Sequence, residues 1–204
     1  MTFTVVAEKK GPSDKRRRII DAAVSVFSRQ GFYTSTVADV AQEADVADGT
    51  IYLYFKNKDD LLISIFEECM DIFIESAEEE LTKGKDAVEK LRMFIALHLK
   101  LVQKNRELAQ VIQIELRQSS KFMKEYANEK FFGYLAILEK ILSGGIKSGH
   151  FSPSADPVIL KRAIFGAIDE MALEWVLMKR KRYTMEEAAD QLSRLFVEGL
   201  EVAK

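Results

Sequence analysis

Groups able to do chemistry are few in this sequence and badly spaced for catalysis. There are two histidines, His98 and His150, and one cysteine, Cys69. A Cys/His zinc site takes about four ligands at set spacings, so no metal site is expected. A single cysteine allows no disulfide within the chain. Carboxylates are plentiful, but spacing sets no pair apart as an acid and its base. Neither a glycine-rich phosphate loop nor a G-x-S-x-G nucleophile turn is present. No catalytic residue, and no enzyme activity, is therefore expected. What stands out is charge gathered in one place. Lys9, Lys10, Lys15, Arg16, Arg17 and Arg18 face a single acidic residue, Asp14, within residues 9–18. Such a patch suits contact with nucleic-acid phosphates or a minor groove. A solvated, frayed terminus is the plain alternative.

Composition bounds the rest. The chain has 204 residues, 48% of them hydrophobic, which can bury a sizeable core. Its 30 Lys+Arg against 32 Asp+Glu give a formal net charge of -2. That argues against a general basic coat but leaves room for a local patch. Three Pro and ten Gly are too few for a turn-rich all-β protein and suit long helices. No apolar run of about 18 residues could span a membrane, and the N-terminus lacks a signal-peptide core. A cytoplasmic protein without membrane contact is the expectation.

The elements that must carry these groups are helices. Residues 1–12, with Gly11-Pro12, read as a mobile basic arm. A first helix starts at Ser13 or Asp14, carries Ile19, Ile20, Ala22, Ala23, Val26 and Phe27 at helical spacing, and stops at Gly31. Thr36 and Asp39 have capping-box spacing and open a short second helix. A third is expected over Asp48–Phe55. Asn57 to Asp60 cap a long fourth helix, whose acidic side reads as a solvated face. Asp86 with Glu89 caps a fifth to about Asn105. A sixth covers about 106–118 and a seventh about 120–147, with Gly144-Gly145 near its end marking fraying or a close contact. Asp156-Pro157 starts an eighth to about Arg180, and Thr184 with Glu187 caps a ninth. The expected fold is all-α with about nine helices: a small N-terminal head over 13–58 and a larger helical domain over 59–204.

Two short helices across a tight turn, behind a longer supporting helix, make a helix-turn-helix. Ala41 is small enough for the crossing, and Val46, Ile51 and Phe55 can pin the second short helix from beneath. The residues Ile19-Ile20-Asp21-Ala22-Ala23, Phe27, Gly31-Phe32, Thr36-Val37, Val40-Ala41 and the run from Val46 to Lys58 (V-A-D-G-T-I-Y-L-Y-F-K-N-K) resemble the TetR family of bacterial transcriptional regulators. Two positions depart from its pattern. Asp45 stands where Gly is usual, and Asp tolerates the left-handed conformation better than most residues. Ala47 stands where a capping Ser is common, so Asp48 is expected to take part of that role. The resemblance implies that the second short helix enters the major groove of double-stranded operator DNA. Thr50, Tyr52 and Leu53 then face base edges, while Tyr54, Lys58 and Thr36 hold phosphates. Val37, Ala47, Asp48 and Gly49 join Arg16, Arg17 and Arg18 in that interface.

The rest of the chain is rich in large apolar residues. Phe66, Phe73, Leu97, Leu101, Ile112, Leu116, Phe131, Tyr134 and Phe165 could fill a solid core or line a cavity. The runs Gln113 to Ser119 and Ile164 to Glu170 look like the fatty-acid-metabolism repressor branch of the TetR family, which long-chain acyl-CoA releases from DNA. That implies a small-molecule effector lined by these residues with Gln113, Arg117 and Asp169, and no other cofactor. Arg106, Arg117, Lys121, Lys124 and Arg162 are the cations available to CoA phosphates; helix-end and surface pairing is the alternative for each. Asp169, Glu170 and Glu174 interrupt an apolar eighth helix and fit pairing with cations on helix six or seven, or ligand contact. His98 reads as a satisfied helix residue and Cys69 as a small core filler. Helices eight and nine, with Ile164, Met171, Trp175, Leu192, Phe196 and Gly199, are the expected homodimer interface. A TetR-type multidrug sensor that controls an efflux pump and binds a lipophilic cation through Asp169 and Glu174 is the alternative function.

Overall fold

The computed structural model describes residues 12–119 and 129–200. Apart from Pro12, the expected basic arm lies outside the described residues, as do Lys121 and Lys124. Among the described residues the fold is all-α, with nine helical stretches besides a 3-10 turn at Leu81–Lys83. They are α1 (Pro12–Gln30), α2 (Val37–Glu43), α3 (Asp48–Ile51), α4 (Lys58–Glu80), α5 (Ala87–Lys104), α6 (106–118), α7 (Glu129–Lys147), α8 (Pro157–Leu177) and α9 (Met185–Leu200). Contacts divide the chain into two units, Met1–Phe66 and Glu67–Lys204, with α4 running across the division.

The first unit is built on α1, whose Ile19, Ala23, Val26 and Phe27 are at most 1% exposed. Gly31 ends it at φ 84, a left-handed value that costs glycine nothing. Thr36 caps α2 in a complete capping box. Its hydroxyl accepts from Asp39 N at 3.1 Å, and the Asp39 carboxylate accepts from Thr36 N at 2.7 Å. The Thr36 hydroxyl also donates to the Asp39 carboxylate at 2.7 Å, and this bond, with that from Thr36 N, holds the Asp39 carboxyl below the usual range. Asp45 occupies the tight turn at φ 53. The expected third helix is corrected: α3 ends at Ile51, and residues 52–54 continue as a turn. Ile51 and Phe55 are both buried beneath it, so the apolar pins act through a turn as well as a helix. Asp48 is the first helical residue rather than the cap. The cap position is Ala47, which has no side-chain bond to offer. Asn57 Oδ1 accepts from Asp60 N at 2.9 Å, and Asp60 accepts from Lys56 N at 2.8 Å, so a reciprocal cap starts α4.

In the second unit α5 packs against α7, α8 and α9, and α8 packs against α6, α7 and α9. Asp86 caps α5 by accepting from Glu89 N at 2.8 Å. Asp156 caps α8 by accepting from Val158 N at 2.8 Å, with Pro157 in the first turn. Thr184 and Glu187 cap α9 reciprocally, at 3.1 and 2.7 Å. The stretch α6 departs from regularity. It is α-helical over Arg106–Gln110 and Leu116–Gln118, with a π-helical turn, Val111–Glu115, between them. At Gly145 the expected close contact is present. A Cβ there would meet the Phe151 ring at 2.1 Å and Ala87 Cβ at 2.9 Å. Gly144 faces open space. Among the described residues, no helix is long and apolar enough to cross a membrane, and no group of three or more His, Cys, Asp or Glu could hold a metal.

Candidate functional site

The residues expected at DNA lie on the outside of the first unit. Leu53 is 80% exposed and Tyr52 57%. Thr36, Ala47, Asp48 and Gly49 are exposed; Val37, Thr50 and Tyr54 are half-buried. Four apolar side chains anchor this surface from below: Val40, Ala41, Ile51 and Phe55. Tyr33, 62% exposed, was not singled out by sequence. It follows Gly31-Phe32, and only the fold shows which aromatic of that pair turns inward.

The basic residues are more engaged than their spacing suggests. Arg18 donates to the Ala44 carbonyl at 2.7 Å and to that of Asp45 at 3.4 Å, clasping the tight turn to α1. The Arg17 guanidinium lies 3.9 Å from the Asp21 carboxylate. Arg16 lies over the Phe55 ring at 5.3 Å. Lys58 is engaged most. Its ammonium donates to the carbonyls of Phe32 and Ser35 at 2.6 and 2.8 Å and sits 4.5 Å from the Phe32 ring centre. Lys58 thus ties the start of α4 to the segment before α2.

The second unit holds a continuous aromatic cluster. Phe73, Phe94 and Tyr134 meet with ring centres 4.7–5.1 Å apart. Phe131 and Phe165 extend the cluster, 5.0 Å from each other edge-on. Such pairs add about 0.5–1.5 kcal/mol each beyond area burial. His98 joins through its Nδ1, 3.1 Å from the Tyr134 hydroxyl. Burial pushes its pKa from 6.5 down to about 4, against a weaker upward pull from the Asp169 charge. Burial likewise pushes the Tyr134 hydroxyl well above 10. Leu97, Leu101 and Ile112 are half-buried, and Leu116 is buried. Phe66 is buried too but belongs to the first unit.

Beside the cluster three polar side chains close a triangle between α6 and α8. Gln113 Nε2 donates to Asp169 Oδ1 at 3.1 Å, and Arg117 donates to Gln113 Oε1 at 2.9 Å. Arg117 also pairs with the Asp169 carboxylate. The expectation that Asp169 meets a cation from helix six is thereby met. Glu174 instead accepts from the Tyr183 hydroxyl at 2.5 Å. Arg106 makes the helix-end pair that was its alternative, donating to the Val176 carbonyl at 3.0 Å. Arg162 stands over the Phe131 ring at 5.5 Å.

The expected interface residues divide. Ile164 is fully buried and Trp175 9% exposed, so both pack inside their own unit. Met171, Leu192 and Phe196 are half-buried and Gly199 is exposed. Sequence reasoning passed over Ile159, Leu177 and Leu195, which are 61–66% exposed on the same two helices.

Comparison with known proteins matches each unit. Residues 19–65 match the model of the N-terminal region of bacterial regulatory proteins of the tetR family. Residues 66–199 match the YsiA-like protein C-terminal region. The chain belongs to the TetR family. Within that family it is 44% identical over 186 residues to the fatty acid metabolism regulator protein of Bacillus subtilis, covering 91% of this chain and 95% of that one. The solved structure of the fatty acid degradation regulator FadR from Bacillus halodurans superposes with a TM-score of 0.86 at 38% identity, over 95% of this chain and 98% of that one. FadR from Bacillus subtilis in complex with stearoyl-CoA gives 0.83 at 43%, over 90% and 98%.

Proposed function

We propose that this chain is a dimeric repressor that holds a pseudo-palindromic operator of fatty acid degradation genes and leaves it on binding long-chain acyl-CoA. The observation that carries this reading is similarity over nine-tenths of the chain to a regulator solved with stearoyl-CoA. The site supports it. Phe73, Phe94, Tyr134, Phe131 and Phe165 gather apolar rings in the second unit, and an acyl chain laid against such groups gains about 0.8 kcal/mol per buried methylene. Pairing the exposed stripes of α8 and α9 with a second copy would give the two reading heads that half-sites about 34–36 Å apart require. A regulator of this kind works without catalysis, in the cytoplasm. The cation-sensor reading has less to draw on, because Asp169 and Glu174 already have partners.

The test is gel retardation of an operator selected by the full-length protein from a random duplex pool. Stearoyl-CoA should weaken the complex about 5–150-fold, the range of a coupling of ~1–3 kcal/mol. Stearate or CoA alone should leave it nearly intact. A complex that survives stearoyl-CoA would remove the acyl-CoA reading.

A further inference from the structure

Both ends of α2 are gripped by cations from neighbouring helices, Lys58 on α4 and Arg18 on α1. We propose that these two are positioning residues, which set the angle of the DNA-reading surface and hold no phosphate themselves. This rests on the operator-binding reading of the head.

With seven and four residues, α2 and α3 are far shorter than a helix that stands alone in water. Val40, Ala41 and Ile51 bury their undersides, but apolar burial is non-directional and does not by itself fix an angle. The directional bonds come from α1 and α4. Before α2, the Lys58 ammonium donates to the carbonyls of Phe32 and Ser35 at 2.6 and 2.8 Å and turns toward that of Tyr33 at 3.5 Å. An ammonium has three N–H donors, so all three are spent on one loop. Its charge also acts on Asp39, the acidic half of the capping box. After α2, Arg18 donates to the carbonyl of Ala44, the C-terminal cap of that helix, at 2.7 Å, and to that of Asp45 at 3.4 Å. A cation there meets the negative end of a helix. The Asp45 carboxylate, 3.8 Å from Arg18, is fully exposed, and a pair of that kind adds little. The work falls on the carbonyl bonds, which are partly buried and charge-assisted. Drawing either cation off to a phosphate would leave those carbonyls short of a donor. Three residues after Asp45, α3 begins without a side-chain cap, since Ala47 offers none. Its placement, and that of the exposed Tyr52 and Leu53 that follow it, depends on the turn that Arg18 holds.

Gel retardation of the full-length protein on its selected operator and on an unrelated duplex, over a series of salt concentrations, tests this. Lys58→Met and Arg18→Met keep an apolar stem and remove the bonds. Circular dichroism melts ensure that only protein folded at the assay temperature is compared, so lost stability does not pass for lost positioning. Each variant should lower operator affinity about tenfold or more, the effect of one charge-assisted bond. The ratio of operator to unrelated-duplex affinity should fall with it, while the salt slope stays at its wild-type value. Removing a phosphate ligand has a different signature: both duplexes weaken alike, the ratio holds, and the slope drops by about one. That signature in a folded variant overturns the proposal, and so does a wild-type ratio with wild-type operator affinity. If one variant does not fold, the other decides. Wild type that retards the operator and the unrelated duplex equally removes the operator-binding reading, and the proposal with it.

Discussion

His98 is held neutral among aromatic rings, and that has a consequence in acid. Its pKa falls from 6.5 to about 4 because burial disfavours the charged ring. In the unfolded chain it takes up a proton near 6.5. The stability gained from a neutral His98 is therefore complete above that pH and is lost as pH falls toward 4. Thermal melts across this window should show wild type declining more steeply than His98→Gln, which keeps a polar partner for Tyr134. Parallel declines would mean that His98 does not titrate in this way. At this scale the sequence was readable where a residue acts on its own backbone. Asp45 could be placed in a left-handed turn because few residue types tolerate one. Lys58 and Arg106 could not be placed. Their carbonyl partners lie 26 and 70 residues away in sequence, and a long side chain carries no mark of whom it will meet.

Elements show the same division. The capping pairs Thr36/Asp39, Asp86/Glu89 and Thr184/Glu187 fix their helix starts from four residues of sequence each, since cap and partner are one turn apart. The π-helical turn over Val111–Glu115 left no such trace. An extra residue in a single turn has no motif of its own, and apolar spacing is too coarse to show it. Gly144 and Gly145 look alike in sequence and differ in the fold. Gly145→Ala should cost about 1–3 kcal/mol, because its Cβ would collide with the Phe151 ring at 2.1 Å. Gly144→Ala faces open space and should gain up to about 1 kcal/mol from helix propensity. Denaturant midpoints of the two variants moving in the same direction would contradict this account of the α7 end.

For the whole molecule, the two units differ in what their surfaces ask for. The exposed aromatic and apolar groups of α3 and its turn, Tyr52 and Leu53, suit a groove. The stripe of Ile159 and Leu177 on α8, with Leu195 on α9, suits a second copy. Ile159→Glu with Leu195→Glu should convert a dimer to monomer in sedimentation velocity while the melting transition of the chain persists. A dimer that survives both charges would place the interface elsewhere.

The sequence by itself determined the all-α class, most helix starts, the tight turn at Asp45 and the TetR kinship. All of these depend on residues close together in the chain, where period, caps and motif act directly. Only the tertiary structure decided which apolar residues of α8 face inward, which cations are already engaged, and that Gln113, Arg117 and Asp169 meet. Those outcomes depend on distant segments competing for the same faces and the same charges. A helix that is apolar nearly all round does not say which side its own unit will take.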